Sequence, residues 1–169
     1  MPQNLEVKIP FNSFSEVTRL LKQINAEFKG TLVQRDVYFK SKNSLLKLRI
    51  ENGEESLIRY KRNEKSKDRF SNYEVIYFSS AGTENILNKI FLTELVVEKK
   101  RQLYLFNNTR IHLDKIKLLG NFLELETLVI EGKSDARKRF NHMVKLLKLD
   151  LNQQIKKSNY HLMKSYLKS

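Results

Sequence analysis

Six short stretches of this sequence carry ionisable side chains two positions apart, so each set shares one face wherever the chain is extended. Glu6 and Lys8 do so in "NLEVKI", Lys47 and Arg49 in "LLKLRI", Arg59 and Lys61 in "LIRYKR", and Lys99 and Arg101 in "EKKRQ". "RIHLD" aligns Arg110, His112 and Asp114, and "FLELE" aligns Glu124 and Glu126. The signs are sorted rather than mixed. A solvated strand face mixes them and includes Thr, Ser and Gln, whereas like charges side by side repel. A basic wall grips a polyanion, and paired carboxylates hold a hard divalent cation. One reading is a one-sided sheet that shows these faces to water; the other turns them inward, where a polyphosphate carrying its metal ion would satisfy both signs.

The elements that must position these residues are mostly strands. "NLEVKI" alternates Leu5, Val7 and Ile9 against Asn4, Glu6 and Lys8. "NSFSEVTRLLKQINAEF" then reads as an amphipathic helix, with Asn12 or Ser13 as its cap. "TLVQRDVYF", "SLLKLRI", "SLIRYKR" and "NYEVIYF" follow as strands, with Asn52-Gly53 as a tight hairpin signal. "TENILNKIFLTEL" gives a short helix capped at Thr83. "VVEKKRQLYLF" and "TRIHLDKI" flank Asn107-Asn108, a turn that needs positive φ, and Gly120 separates them from "NFLELETLVI". From Ser134 onward the pattern is helical.

About eight strands joined largely by hairpins favour an antiparallel sheet, and eight are enough to close a barrel. Leu123 and Leu125 flank the glutamates, and Leu46 and Leu48 flank Lys47. Helices covering those apolar faces leave the charged faces turned toward one another. The fold class expected is α+β, an eight-stranded antiparallel β-barrel with a charged lumen and helices packed on the outside.

Composition sets the frame. The 169 residues are 40% hydrophobic and 30% charged, with a formal net charge of +13, and read as one globular domain spanning 1–169. That charge calls for an anionic partner. Cys is absent, which removes disulfides, thiolate metal sites and cysteine nucleophiles and suits a reducing, cytoplasmic setting. No apolar run approaches the roughly 18–20 residues of a membrane span, so no membrane partner is expected.

"NLEVKI", "QRDVYF", "LLKLRI", "LIRYKR", "NYEV", "VVEKKRQLYL", "RIHLDKIKLLGNFLELE" and "NYHLMKSYL", in this order and spacing, resemble the CYTH superfamily, the triphosphate tunnel metalloenzymes. The likeness is to its class IV adenylate cyclase-like and thiamine triphosphatase-like branch and runs from about Asn4 to Leu167. It implies a charged barrel tunnel and Mg²⁺ or Mn²⁺ as cofactor. It also implies roles. Glu6 and Lys8 match the catalytic signature, Glu6 toward metal and Lys8 toward phosphate or the attacking water. Lys47, Arg49, Arg59, Lys61, Lys99 and Arg101 match the triphosphate-binding bases. Asp114, Glu124, Glu126 and Glu74 match further metal carboxylates. The signature reads Glu-x-Glu-x-Lys, but here its first position is Asn4, whose amide offers a cation only a neutral oxygen. Members of the cyclase-like branch also carry Asn there.

The branch does not fix the reaction. Because water is always available and hydrolysis demands less substrate positioning, the expectation is a triphosphatase acting on inorganic triphosphate or on nucleoside or thiamine triphosphate, in a monomer or homodimer. A class IV cyclase making cyclic AMP and pyrophosphate is the alternative. A non-catalytic polyphosphate or nucleic-acid binding module is a further one, motivated by the charge and by "RYKRNEKSKDR". His112 either orients a carboxylate or water, or is structural. Tyr38, Tyr60 and Tyr104 read as sheet packing. The C-terminal helix either closes one tunnel mouth, with Lys164 reaching phosphate, or covers apolar barrel surface.

Overall fold

A computed structural model of the chain describes residues 3–62, 70–79 and 82–169, with only the backbone described at 61, 62, 71 and 72. The eight strands are β1 (Gln3–Pro10), β2 (Glu27–Phe39), β3 (Leu45–Glu51), β4 (Glu54–Arg62), β5 (Phe70–Tyr77), β6 (Thr93–Phe106), β7 (Thr109–Ile116) and β8 (Gly120–Leu128). They close into an antiparallel barrel in the order β1-β5-β4-β3-β2-β6-β7-β8, with β8 returning to β1. The β1–β5 seam is short, running from Gln3↔Asn72 to Leu5↔Phe70. The helices are α1 (Ser15–Gln23), α2 (Thr83–Ile90), α3 (Lys133–Leu146) and α4 (Asn159–Tyr166), with a 3-10 turn at Leu151–Gln153 before α4. Among the described residues no helix is long and apolar enough to cross a membrane.

Turn chemistry sets the strand boundaries. Asn52 and Gly53 take φ of 49° and 91°, and Asn107 and Asn108 take 44° and 55°, as the two tight hairpins require. Asn25 has φ 54° and ends the first helix two residues after Gln23, so Glu27 and Phe28 open β2 instead of continuing the helix. The expected Asn12 or Ser13 cap is replaced by Phe14, which makes no side-chain cap bond, and Gly82 rather than Thr83 caps α2.

The apolar faces point outward, and the helices cover them. Leu5, Val7, Ile9, Ile111, Leu113, Leu123 and Leu125 pack with Val17, Leu20 and Leu21 of α1 and Phe140 and Met143 of α3. Val37, Phe39 and Leu48 pack with Leu87 of α2. Each such side chain withdrawn from water contributes on the order of 1.5–3 kcal/mol. The hydrophobic effect thus anchors the outside of the barrel and leaves the lumen for charge.

Helix α4 departs from this plan. Tyr160 and Met163 pack with Tyr38, Leu95, Val97, Ile116 and Phe122, all at lumen-facing strand positions. The Ile155 N–H donates to the Lys8 carbonyl at 2.8 Å, tying this segment to β1. The C-terminal helix therefore plugs one end of the barrel, the first of its two expected placements. Its Lys164 does not enter the lumen but donates to Tyr160 Oη at 2.7 Å and lies 3.5 Å from Glu94.

Candidate active site

Lumen-facing side chains enclose a cavity of about 390 Å³, a size usual for small-molecule sites. Its wall divides by chemistry. Strands β1, β3, β6, β7 and β8 contribute Lys8, Lys47, Arg49, Lys99, Arg101, Arg110 and the carboxylates Glu6, Glu51, Glu124 and Glu126. Strands β4 and β5 contribute Ser56, Ile58, Tyr60, Tyr73, Val75 and Tyr77.

The bases are organised by two buried aspartates in a repeated device. On β2, Asp36 stands opposite Arg49 of β3 and accepts from Arg49 Nε at 2.8 Å, Arg49 Nη2 at 2.9 Å and Lys47 Nζ at 2.6 Å. On β7, Asp114 stands opposite Arg101 of β6 and accepts from Arg101 Nε at 2.6 Å, Arg101 Nη2 at 2.5 Å and Lys99 Nζ at 3.2 Å. Each Lys-x-Arg pair thus meets one cross-strand carboxylate that fixes the guanidinium plane and leaves Nη1 outside its grip. Burial raises the Asp36 pKa, but Arg49 and Lys47 outweigh it and hold the carboxyl well below its usual range. Burial likewise opposes Arg101 and Lys99 at Asp114, and the net result is a value of about 2.

Lys47 and Lys99 respond in the opposite sense. Burial, then repulsion from Arg49, pushes Lys47 down to about 7. Arg49 holds both oxygens of Asp36, so the shared carboxylate does not restore the Lys47 proton. Lys99 is lowered by burial and by Arg101.

Around β8 the geometry changes. Register sets Lys8 and His112 on either side of Glu124, and Glu6 and Arg110 on either side of Glu126. Lys8 Nζ lies 2.8 Å from Glu124 Oε1 and also donates to Asn159 Oδ1 at the start of α4. Arg101 Nη2 lies 3.1 Å from Glu124 Oε2, and Arg110 Nη2 lies 3.1 Å from Glu126 Oε2. Burial raises both glutamates; Lys8 above all overrides it at Glu124, and His112 and Arg110 do so at Glu126, leaving both below the usual range.

His112 is 3% exposed, and its Nδ1 is buried without a hydrogen-bond partner. One ligand atom each from His112, Glu124 and Glu126 lie within 4.8 Å of one another. This set fits a divalent cation: two ionised carboxylates, and a ring nitrogen with no other partner.

The expected site residues divide accordingly. Glu6, Lys8, Lys47, Arg49, Lys99, Arg101, Glu124 and Glu126 all line the cavity. Asp114 does not line it; it lies behind, 0% exposed and engaged by Arg101 and Lys99. Arg59 and Glu74 are not in the tunnel. They pair with each other at 2.9 Å on the outer face, where both side chains are about half exposed. The physical reason is strand phase: Ser56, Ile58 and Tyr60 of β4 face inward, so Arg59 faces outward beside Leu57. The Lys61 side chain and most of "RYKRNEKSKDR" lie outside the described residues.

Asn4 does not offer its amide oxygen to the cation cluster. It is 3% exposed, and with the amide oriented to satisfy both its groups, the oxygen accepts from Arg110 Nη2 at 3.0 Å. Sequence reasoning gave Asp36, Arg110 and Asn159 no role. Arg110 was legible, since it shares a face with His112; Asp36 needed the β2–β3 register and Asn159 the path of the C-terminal segment.

A family model, the CYTH domain, matches residues 2–158. Among solved structures, a protein from Pyrococcus horikoshii superposes with a TM-score of 0.83 at 24% identity, covering 94% of this chain and 98% of that one. An adenylate cyclase candidate from Vibrio parahaemolyticus gives a TM-score of 0.78 at 16% identity, with 95% and 97% covered. An adenylyl cyclase candidate from Hippeastrum, described as having a dominant triphosphatase activity, gives 0.65 at 13% identity, with 98% and 96% covered. No curated protein matches the sequence.

Proposed function

The chain belongs to the CYTH domain family, and on that premise we propose that it is a divalent-metal-dependent triphosphatase. Its first substrate is inorganic triphosphate, and its second a nucleoside or thiamine triphosphate. CYTH domain proteins are usually enzymes acting on triphosphates. The observation that carries the reading is one cavity lined by Lys8, Lys47, Arg49, Lys99, Arg101 and Arg110 beside the His112, Glu124 and Glu126 cluster.

Phosphoryl transfer asks a protein for positioning and charge stabilisation more than for covalent chemistry. Arg49 and Arg101, held flat by Asp36 and Asp114, present planar donors to phosphate oxygens. Lys47 and Lys99 add compact charges beside them. Lys8, fixed between Glu124 and Asn159, is placed to steady the terminal phosphoryl group or the attacking water. Water adds at the terminal phosphorus, the bond to the bridging oxygen breaks with its electron pair leaving on the diphosphate, and one proton of the water passes to that leaving oxygen. Glu124 and Glu126, with Glu6 across the strand pair from Glu126, would hold Mg²⁺ or Mn²⁺, and such an ion would supply Lewis-acid neutralisation of the phosphate charge.

A second reading has its own observation. The wall formed by Ile58, Tyr60, Tyr73 and Val75 suits an organic substituent on the triphosphate, as a cyclase acting on ATP would need. One experiment tests both. Purified protein is given inorganic triphosphate, ATP and thiamine triphosphate with Mg²⁺ or Mn²⁺, and the products are identified. Orthophosphate release supports the triphosphatase, while cyclic AMP with pyrophosphate replaces it by the cyclase. Absence of turnover on every substrate overturns both.

A further inference from the structure

We propose that His112 is itself a metal ligand through Nδ1 and that this nitrogen biases the site toward Mn²⁺ over Mg²⁺. The inference rests on the metal dependence proposed above and names the selectivity of that same site.

His112 is an anomaly as a structural residue. It sits mid-strand on β7, faces the lumen and is 3% exposed. A buried ring nitrogen ordinarily finds a partner, since an unsatisfied one costs about 1–3 kcal/mol. Nδ1 has none. Its nearest carboxylate oxygens are Glu126 Oε1 at 3.6 Å and Glu124 Oε2 at 3.9 Å, both too long for a hydrogen bond.

Those separations suit joint coordination. Two ligand atoms bound to one ion at about 2.1 Å stand roughly 3.0 Å apart at a right angle and about 4.2 Å apart in line. The two spacings from His112 fall between these limits. The carboxylates are also oriented for it. Glu126 gives Oε2 to Arg110 and turns Oε1 to His112, and Glu124 is held from two sides by Lys8 and Arg101. Arginines and a lysine thus steady the two acids while the ring nitrogen closes the set.

The chemistry of that donor set decides the metal. Mg²⁺ prefers oxygen and retains its waters, whereas imidazole suits borderline ions, and affinity in nitrogen-containing sites rises from Mn²⁺ toward the later metals. A carboxylate-only site would discriminate weakly between Mg²⁺ and Mn²⁺. One nitrogen ligand tilts it toward Mn²⁺.

The test uses the full chain and Mn²⁺ itself, without substrate. Pulsed electron paramagnetic resonance of the bound ion is expected to show directly coordinated ¹⁴N, and His112→Asn is expected to abolish that coupling. The same variant is expected to weaken Mn²⁺ binding about tenfold or more while moving Mg²⁺ binding less than about threefold. A wild-type protein that binds stoichiometric Mn²⁺ without ¹⁴N coupling, or binds no Mn²⁺, overturns the proposal, and neither measurement depends on the variant folding. Equal loss for both metals in a folded variant also overturns it. Coupling without turnover would instead sink the triphosphatase reading and leave His112 a ligand.

Discussion

Replacing Asp36 by Asn removes the anion that three N–H donors share while keeping the side-chain outline. The carboxylate is 1% exposed and accepts from Lys47 Nζ, Arg49 Nε and Arg49 Nη2 at 2.6–2.9 Å. Breaking a buried ion pair from one side costs about 3–5 kcal/mol, because the remaining cations stay buried. Two effects trim that figure. Lys47, with its pKa near 7, sheds its share of the charge easily, and the amide oxygen still accepts one bond. We expect a loss of about 3 kcal/mol at pH 7, a large part of a typical 5–15 kcal/mol but not all of it. The pH dependence carries a sign. Asp36 titrates well below its usual range, so its contribution is complete above the unfolded pKa of about 3.9 and drains as the pH falls toward the folded value. Lys47 regains its proton between pH 7 and pH 5 more readily with Asp36 present than without it, so the gap between wild type and variant should widen over that interval and then narrow by about 1 kcal/mol from pH 5 to pH 3. Urea unfolding followed by circular dichroism measures it. In an Arg49→Met background the same substitution should cost less than half as much. A gap under about 1 kcal/mol at pH 7, or one that does not narrow between pH 5 and pH 3, would refute the claim that Asp36 anchors this wall.

Further expectations follow from the same geometry. Metal-free binding of inorganic triphosphate should weaken as pH rises through about 7, where Lys47 loses its proton, and Lys47→Met should flatten that profile; calorimetry from pH 6 to 9 reads both. Asn4→Glu should draw Arg110 away from Glu126 and add a negative charge beside the cluster, tightening Mn²⁺ binding by about 1 kcal/mol, roughly fivefold. Unchanged Mn²⁺ affinity would show that Asn4 and Arg110 are insulated from the cation. Arg59→Ala and Glu74→Ala should each shift stability by less than about 1 kcal/mol and leave turnover unchanged, as an exposed outer pair implies. A tenfold fall in turnover for either would return that residue to the tunnel.

The barrel was legible because its turns are spelled out and its charges sorted. Asn52-Gly53 and Asn107-Asn108 announce two hairpins, and the outward Leu123 and Leu125 require the intervening glutamates to face in. The phase of β4 was not legible. Leu57 and Arg59 alternate with Ile58 and Tyr60, so neither face is plainly apolar, and the rule that charge faces inward fails on that wall. Asp114 was expected among the cation ligands because it matches a metal carboxylate of the family the sequence resembles. Only the cross-strand register reveals that Arg101 and Lys99 already claim it. Asn4 was read as a weakened ligand, and its partner Arg110 comes from β7, more than a hundred residues away in the chain.

The plug formed by α4 has a consequence for traffic. With Tyr160 and Met163 wedged among Tyr38, Leu95, Val97, Ile116 and Phe122, the barrel becomes a blind-ended well at that end. Among the described residues the cavity lining runs away from the plug toward Glu51 and Tyr77, so a ligand reaching the bases would travel along that side. Under the triphosphatase reading proposed above, orthophosphate and diphosphate would leave by the path the next substrate takes. Products would then compete with substrate simply by standing in the entrance.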